Sequence, residues 1–301
     1  MFTAKKLSKV FESAQRLTID DKSKIVIMSD CHRGDGNWSD NFGKNQNIYF
    51  QALWEYYEQG YSYIELGDGD ELWENSQFSN IVVLHSHVFW LLKKFYEEKR
   101  VHFILGNHDW IKNSKKFRTQ QMEEYFCEQE RKFVSLFPEI EMHEALVLRY
   151  NDKEIFLVHG HQGDWINDNF WRLGRFLVRY VWKPMELFGV KDPTRSGKNY
   201  KKRNKLEKKM MKWSEQKNQM LIAGHTHRPV FPAVGEVLYF NDGSCVHPRC
   251  ITAIEITEGK ISLVKWQVFT REDGTLYIDK EILAGNTPLK MFLYNESSAS
   301  E

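Results

Sequence analysis

Five times in this chain an apolar, strand-forming run ends in a short turn built of Gly, Asp, Asn and His. The runs are Lys24–Ser29, Tyr61–Leu66, Arg100–Leu105, Glu154–Val158 and Met220–Ile222. Short apolar runs bounded by turn signals fit strands buried on both faces. The turns that follow are Asp30-Cys31-His32-Arg33-Gly34-Asp35-Gly36, Gly67-Asp68-Gly69-Asp70-Glu71, Gly106-Asn107-His108-Asp109, His159-Gly160-His161 and Gly224-His225-Thr226-His227-Arg228-Pro229. Each carries residues that bind cations or move protons, and glycines that let the backbone come close to a ligand. Helical stretches separate several of the runs, so the pattern predicts an α/β body.

The intervening segments read as follows. Residues 3–16 form a short amphipathic helix on Phe2, Leu7, Val10, Phe11 and Ala14. A helix over 44–58 stops at Gly60. A second, over 77–98, puts Phe78, Ile81, Leu84, His85, Val88, Leu91, Leu92 and Phe95 on one side. His85 and His87 in it are structural or surface residues. Residues 117–135 read as a third helix. Glu144–Tyr150 and Lys153–Val158 make a hairpin about Asn151-Asp152. Strands are predicted at 236–240, 251–256 and 260–269, the last two joined by Glu258-Gly259. Residues 295–301 are polar and frayed.

Charge is unevenly placed. The whole chain of 301 residues carries a net charge of +1, which gives no hint of a polyanionic partner. Residues 163–219 hold fifteen Lys and Arg against six Asp and Glu, so the remainder is net acidic. This segment also carries Trp165, Trp171, Tyr180 and Trp182, with Pro184 ending or kinking its first helix. It reads as a helical basic and aromatic cap inserted in one domain spanning 1–301. A solvated helix face explains the lysines equally well; the functional reading is a cap that attracts an anionic, partly apolar substrate. The four cysteines include no C-x-x-C pair, which argues against a cysteine zinc site. No apolar leader or membrane-spanning run is visible, so the cytoplasm with free thiols is the expected compartment.

The turn residues Asp30, His32, Asp68, Asn107, His159, His225 and His227 are N and O ligands, too many for one zinc site. They fit two divalent ions sharing a carboxylate, with Mn, Fe, Zn and Ni all compatible. Asp68, Asp70 and Glu71 would repel in a bare loop, and a cation relieves this. A metal pair clamps a phosphoryl group and supplies hydroxide at neutral pH.

The ordered set Asp30-x-His32, Gly67-Asp68, Gly106-Asn107-His108-Asp109, His159-Gly160-His161 and Gly224-His225-x-His227 resembles the calcineurin-like metallophosphoesterase superfamily. The resemblance spans residues 25 to about 245. It implies a four-layer α/β/β/α sandwich of two mixed sheets with the metals at the strand ends. It also implies Asp30, His32 and His227 on one metal, Asn107, His159 and His225 on the other, and Asp68 bridging. His108 would protonate the leaving oxygen or stabilise the transition state. Glu71 would orient His108, with Asp70 as the alternative. Arg33 and Arg228 flank the motifs as substrate-phosphate ligands. His161 has no assigned role, and His247 lies close enough in sequence to reach the site. The inserted segment looks like the helical cap of UDP-2,3-diacylglucosamine hydrolases. His108 and His161 depart from those enzymes, which usually carry Arg and Asp there. The expected activity is hydrolysis of a phosphomonoester, phosphodiester or pyrophosphate, nucleotide- or lipid-linked. Alternatives are a phosphate-binding or scaffold protein without turnover, a nucleic-acid end-processing enzyme, and membrane or nucleic-acid contact through the cap.

Overall fold

The computed structural model describes residues 2–37, 40–127, 131–163 and 200–294. Its elements run α1 (Phe2–Ser13), β1 (Gln15–Ile19), β2 (Lys24–Met28), α2 (Gln46–Glu58), β3 (Ser62–Leu66), α3 (Phe78–Leu84), α4 (Ser86–Glu97) and β4 (Val101–Ile104). Then come α5 (Lys115–Gln121), β5 (Glu124–Cys127), β6 (Lys132–Ser135), β7 (Met142–His143), β8 (Ala145–Tyr150) and β9 (Lys153–Val158). After residue 199 follow α6 (Tyr200–Lys217), β10 (Met220–Ala223), β11 (Tyr239–Asn241), β12 (Cys250–Thr257), β13 (Lys260–Thr270), β14 (Leu276–Pro288) and α7 (Leu289–Leu293).

Two mixed sheets result. One has the order β1-β8-β9-β10-β11, the other β14-β13-β12-β2-β3-β4-β7. Strand alternation explains how they stack. Ile25 and Ile27 of β2 join Ile155 and Leu157 of β9 and Met220 and Ile222 of β10 in a core between the sheets. The alternate residues face outward into two further cores. Val26 and Met28 pack with Tyr49, Leu53, Phe89 and Leu92 of α2 and α4. Phe156, Val158, Leu221 and Ala223 pack with Leu7 and Val10 of α1 and Met210 and Trp213 of α6. The layers are therefore helix, sheet, sheet, helix, and strands buried on both faces account for the uninterrupted apolar runs.

Within the second sheet β2, β3 and β4 are parallel, and in the first β9 and β10 are parallel. Their carboxyl ends deliver the five Asp, Asn and His turns. This is where open α/β sheets place ligands.

Several expectations need correction. The helix expected over 117–135 ends with α5 at Gln121, and β5 and β6 pair antiparallel instead. The helix expected over 77–98 breaks at His85, whose ring sits between Gln46 and Asp40, 3.2 Å from each. The strand expected at 236–240 is β11 at Tyr239–Asn241. Strands β1 and β14 had no forecast. Glu258 and Gly259 both have positive φ (53° and 66°), the conformation a tight hairpin turn requires. The expected cap divides. Its second part, α6, is a layer helix with Leu206, Met210 and Trp213 buried. The expected helix and aromatic residues between 164 and 199 lie outside the described residues. Among the described residues, no helix is long and apolar enough to cross a membrane. The four cysteines are free.

Candidate metal centre

The site's backbone is sharply turned. Asp30, His32, Asp68, His225 and His227 have φ of 51°, 49°, 51°, 66° and 53°. Left-handed backbone is uncommon for residues with a side chain and stores roughly 1–3 kcal/mol each when forced. The surrounding hydrogen bonds impose it. Asp30 and His32 donate their backbone N–H groups to the carbonyls of Gly67 (3.0 Å) and Asp68 (2.9 Å), and Gly224 donates to His159 (3.0 Å). Glycine is required where the loops meet. A Cβ on Gly106 would lie 2.0 Å from Asp68 Oδ1, and one on Gly67 would lie 2.5 Å from His159 Nδ1.

The same bonds aim the ligand atoms inward. Asp30 Oδ2 accepts the His225 N–H at 2.8 Å, and Asp68 Oδ1 accepts the His108 N–H at 2.8 Å. Asp30 Oδ1 and Asp68 Oδ2 are left facing the histidines. His227 Nε2 lies 3.0 Å from Asp30 Oδ1, and His159 Nε2 lies 3.2 Å from Asp68 Oδ2. His32 Nε2 stands 3.7 Å from Asp30 Oδ1 and 3.9 Å from Asp68 Oδ2. His159 Nδ1 is 2.8 Å from the Leu66 carbonyl, so Nδ1 carries a proton and Nε2 points inward. Among the described residues four triplets have ligand atoms within 4.8 Å of one another: Asp30, His32 and His227; Asp68, His159 and His225; His32, Glu71 and His108; and Glu65, Asp70 and Asp109.

Whether a cation fits can be judged from the polar atoms left over. Asn107 Oδ1 and His225 Nε2 are buried without a hydrogen-bond partner, and Asp30 Oδ1 and His159 Nε2 are buried with only the approaches of His227 and Asp68. Buried polar atoms are almost always satisfied, and leaving several together is costly. All of them are cation ligands, and none is a thiolate. The donor set fits divalent ions of the borderline N/O type.

Glu71 organises the open side. Its carboxylate is 2.8 Å from His108 Nδ1 and 3.0 Å from His32 Nδ1. It therefore holds both rings with Nδ1 toward Glu71 and Nε2 turned away, that of His32 beside Asp30 and Asp68. A carboxylate behind a metal-ligating histidine is the usual way to orient such a ligand. The family resemblance implies the His108 contact; the His32 contact is new. A further support is Ser29, whose hydroxyl bridges Asp30 Oδ2 and Asp242 Oδ1, the latter at 2.8 Å.

Electrostatics follows the geometry. Burial opposes the charge on Asp30, yet His227 and His159 hold its carboxyl well below the ordinary range. Burial likewise opposes Asp68, and His159 and His108 pull it well below. Burial works against a charged His159, but Asp68 and Asp30 raise it to about 9. Burial and the neighbouring His159 drive His225 down to about 3. His108 is raised despite burial, chiefly by Glu71 and Asp68.

Other expected residues fall elsewhere. Arg33 is fully buried, so the expected contact with a substrate phosphate fails. Its Nε donates to Asp70 at 2.7 Å, and its two terminal nitrogens donate to Glu65 at 2.7 and 2.9 Å. The same pairing removes Asp70 as a partner for His108. Arg228 keeps half its side chain exposed and makes a loose 3.4 Å pair with Glu207. His161 is buried with Nδ1 unpartnered, its ring 5.6 Å from that of His159. Burial first, then His227 nearby, lowers His247.

Comparison with known proteins adds the family. No curated protein gives a significant match. A conserved uncharacterised protein of Streptococcus pneumoniae TIGR4, titled a predicted phosphoesterase, is similar at 16% identity and a TM-score of 0.34, over 86% of this chain and 97% of its own. Vps29 of Chaetomium thermophilum is similar at 11% identity and a TM-score of 0.38, over 87% of this chain and 96% of its own. TM-scores this low add nothing to what the sequence match shows. The model of the calcineurin-like phosphoesterase superfamily domain matches residues 24–257, more than half of the chain and every turn described above. The chain belongs to the calcineurin-like phosphoesterase superfamily.

Proposed function

We propose that this protein is a hydrolase of phosphate esters that works with two divalent ions. Asp30, His32 and His227 would hold one, Asn107, His159 and His225 the other, and Asp68 would serve both. The observation that carries the reading is the set of buried, unpartnered ligand atoms at the strand ends. Ions bound there would neutralise phosphoryl charge and make water nucleophilic at neutral pH. The chain's own residues do the rest. Glu71 accepts the Nδ1 proton of His108 and, with Asp68, favours its charged form against burial, so His108 as imidazolium gives its Nε2 proton to the leaving oxygen. General acid help of this kind contributes about 10²–10⁴-fold. Asp30 and Asp68 stay ionised across the physiological range because the histidines around them outweigh burial.

The substrate class is read from charge. The basic stretch 163–219 and the exposed Arg228 favour an anionic substrate larger than a simple ester, a nucleotide- or lipid-linked pyrophosphate of the kind UDP-2,3-diacylglucosamine hydrolases cleave. The test strips metal from the purified protein and restores Mn, Fe, Zn, Ni or Mg singly. Hydrolysis of p-nitrophenyl phosphate, bis-p-nitrophenyl phosphate and a nucleoside diphosphate ester is then followed. Metal-dependent turnover that disappears in Asp68→Asn supports the reading. Metal uptake with no turnover on any of the three would favour a binding protein instead.

A further inference from the structure

Trp73 stands two residues after Glu71 in the loop that leaves β3. Its ring lies flat on that of His108, with centroids 4.3 Å apart and planes inclined by 21°. Its indole N–H donates to the carbonyl of Asn107 at 2.6 Å. The residue is 8% exposed, so the stack is an interior contact. One side chain thus grips both members of the Asn107-His108 pair. The other contacts of His108 do not duplicate this. Glu71 fixes one ring atom, Nδ1, and the His32 ring meets His108 edge-on at 4.7 Å and 86°. A hydrogen bond at one atom leaves the ring free to swing about that atom. A flat aromatic surface removes the swing, and face-to-face contact of this kind has a defined geometry.

We propose that Trp73 is a positioning residue that fixes the plane of His108, so that its Nε2 proton meets the leaving oxygen. The inference rests on the reading of His108 as proton donor. In that step the oxygen of water bonds to phosphorus, the ester P–O bond breaks, and its electron pair leaves on the alcohol oxygen. That oxygen takes the Nε2 proton of His108. One proton of water recharges the imidazole, and the other stays on the phosphate product. A donor misplaced by about an ångström can lose on the order of 10²-fold in rate. The loss must fall on esters whose leaving group needs a proton.

The experiment compares Trp73→Leu, Trp73→Phe, His108→Ala and Trp73→Leu/His108→Ala in the metal-loaded full chain. Phenyl phosphate has a poor leaving group and 2,4-dinitrophenyl phosphate a good one. Trp73→Leu is expected to lower kcat on phenyl phosphate by roughly 10- to 100-fold at unchanged KM and metal content. On the dinitrophenyl ester the loss is expected to stay under about 3-fold, because that step needs little proton transfer. Trp73→Phe keeps a ring face and recovers most of the loss. In the His108→Ala background Trp73→Leu adds nothing further, as coupling through one group requires. Should Trp73→Leu not fold, Trp73→Met fills the space without a ring and takes its place. Equal losses on both esters, or a fall in bound metal, would make Trp73 a structural residue and overturn the inference. A normal Trp73→Leu beside a crippled His108→Ala would overturn the Trp73 role alone. A fully active His108→Ala would overturn the proton-donor reading and this inference together.

Discussion

Two buried charge clusters lie side by side at the strand ends, and they are opposites. In one, Arg33 and Lys112 stand among Glu65, Asp70 and Asp109, and every carboxylate oxygen accepts a bond. Arg33 covers Glu65 and one oxygen of Asp70. Lys112 takes the other oxygen of Asp70 and shares Asp109 with the backbone of Gly69 and Gly106. In the other, Asp30 Oδ1, Asn107 Oδ1, His159 Nε2 and His225 Nε2 are buried without a hydrogen bond. Both clusters bring acidic groups within metal-binding reach, Glu65, Asp70 and Asp109 included. Proximity of carboxylates is therefore a poor guide to a metal. What separates the two is whether the protein supplies its own cations. The satisfied cluster ties the turn after β3 to the turn after β4. It is the base on which the unsatisfied one is held.

The largest contrast should come from exchanging one charge in each. Asp68→Asn should abolish turnover and reduce bound metal; assay and elemental analysis read the two. His108→Ala should keep its metal and lose about 10²–10⁴-fold in kcat. Lys112→Met, in the satisfied cluster, leaves Asp109 without a cation and Asp70 with Arg33 alone, and should cost about 3–5 kcal/mol in denaturant unfolding. If Lys112→Met were as stable as wild type, the division into a structural and a functional cluster would break. Glu71→Gln should weaken metal by about 10–100-fold, as loss of a carboxylate behind a ligand does, and should also slow turnover through His108.

The smallest effect is one of pH. Burial pushes the Asp70 carboxyl up, but Arg33 and Lys112 hold it at about 2, against an ordinary 3.8. A folded value below the unfolded one means stability is gained above the ordinary value and lost as pH falls through the folded one. The Asp70 contribution should therefore be flat above about pH 4 and fade toward pH 2. Acid unfolding of Asp70→Asn, followed by circular dichroism, should lack that component.

The sequence shows the functional cluster more clearly than the structural one. Strands buried on both faces leave unbroken apolar runs, and the Asp, Asn and His turns stand out against them. The calcineurin-like resemblance, which puts an acidic residue three after Asp68, points Glu71 at His108 while leaving Asp70 as the alternative. Arg33 misled because its neighbours in sequence, His32 and Gly34, say nothing of Glu65, which sheet register places beside it. A signal did exist: Glu65 interrupts the apolar run Tyr63-Ile64-Glu65-Leu66, and a carboxylate inside a buried strand demands a buried cation. Lys112 was hidden in the same way. The strands β5 and β6 were obscured by the charged, helix-favouring residues between Glu128 and Lys132, which outweigh Tyr125, Phe126, Phe133 and Val134 in any local reading. Trp73 sits in a motif loop, but no periodicity announces that its face meets His108.

Anomalous diffraction from crystals soaked in manganese tests the central claim most directly. The account predicts two peaks among Asp30, His32, Asp68, Asn107, His159, His225 and His227, with none among Glu65, Asp70 and Asp109. A peak beside Arg33 and Lys112, or no density at the unpartnered atoms, would contradict it.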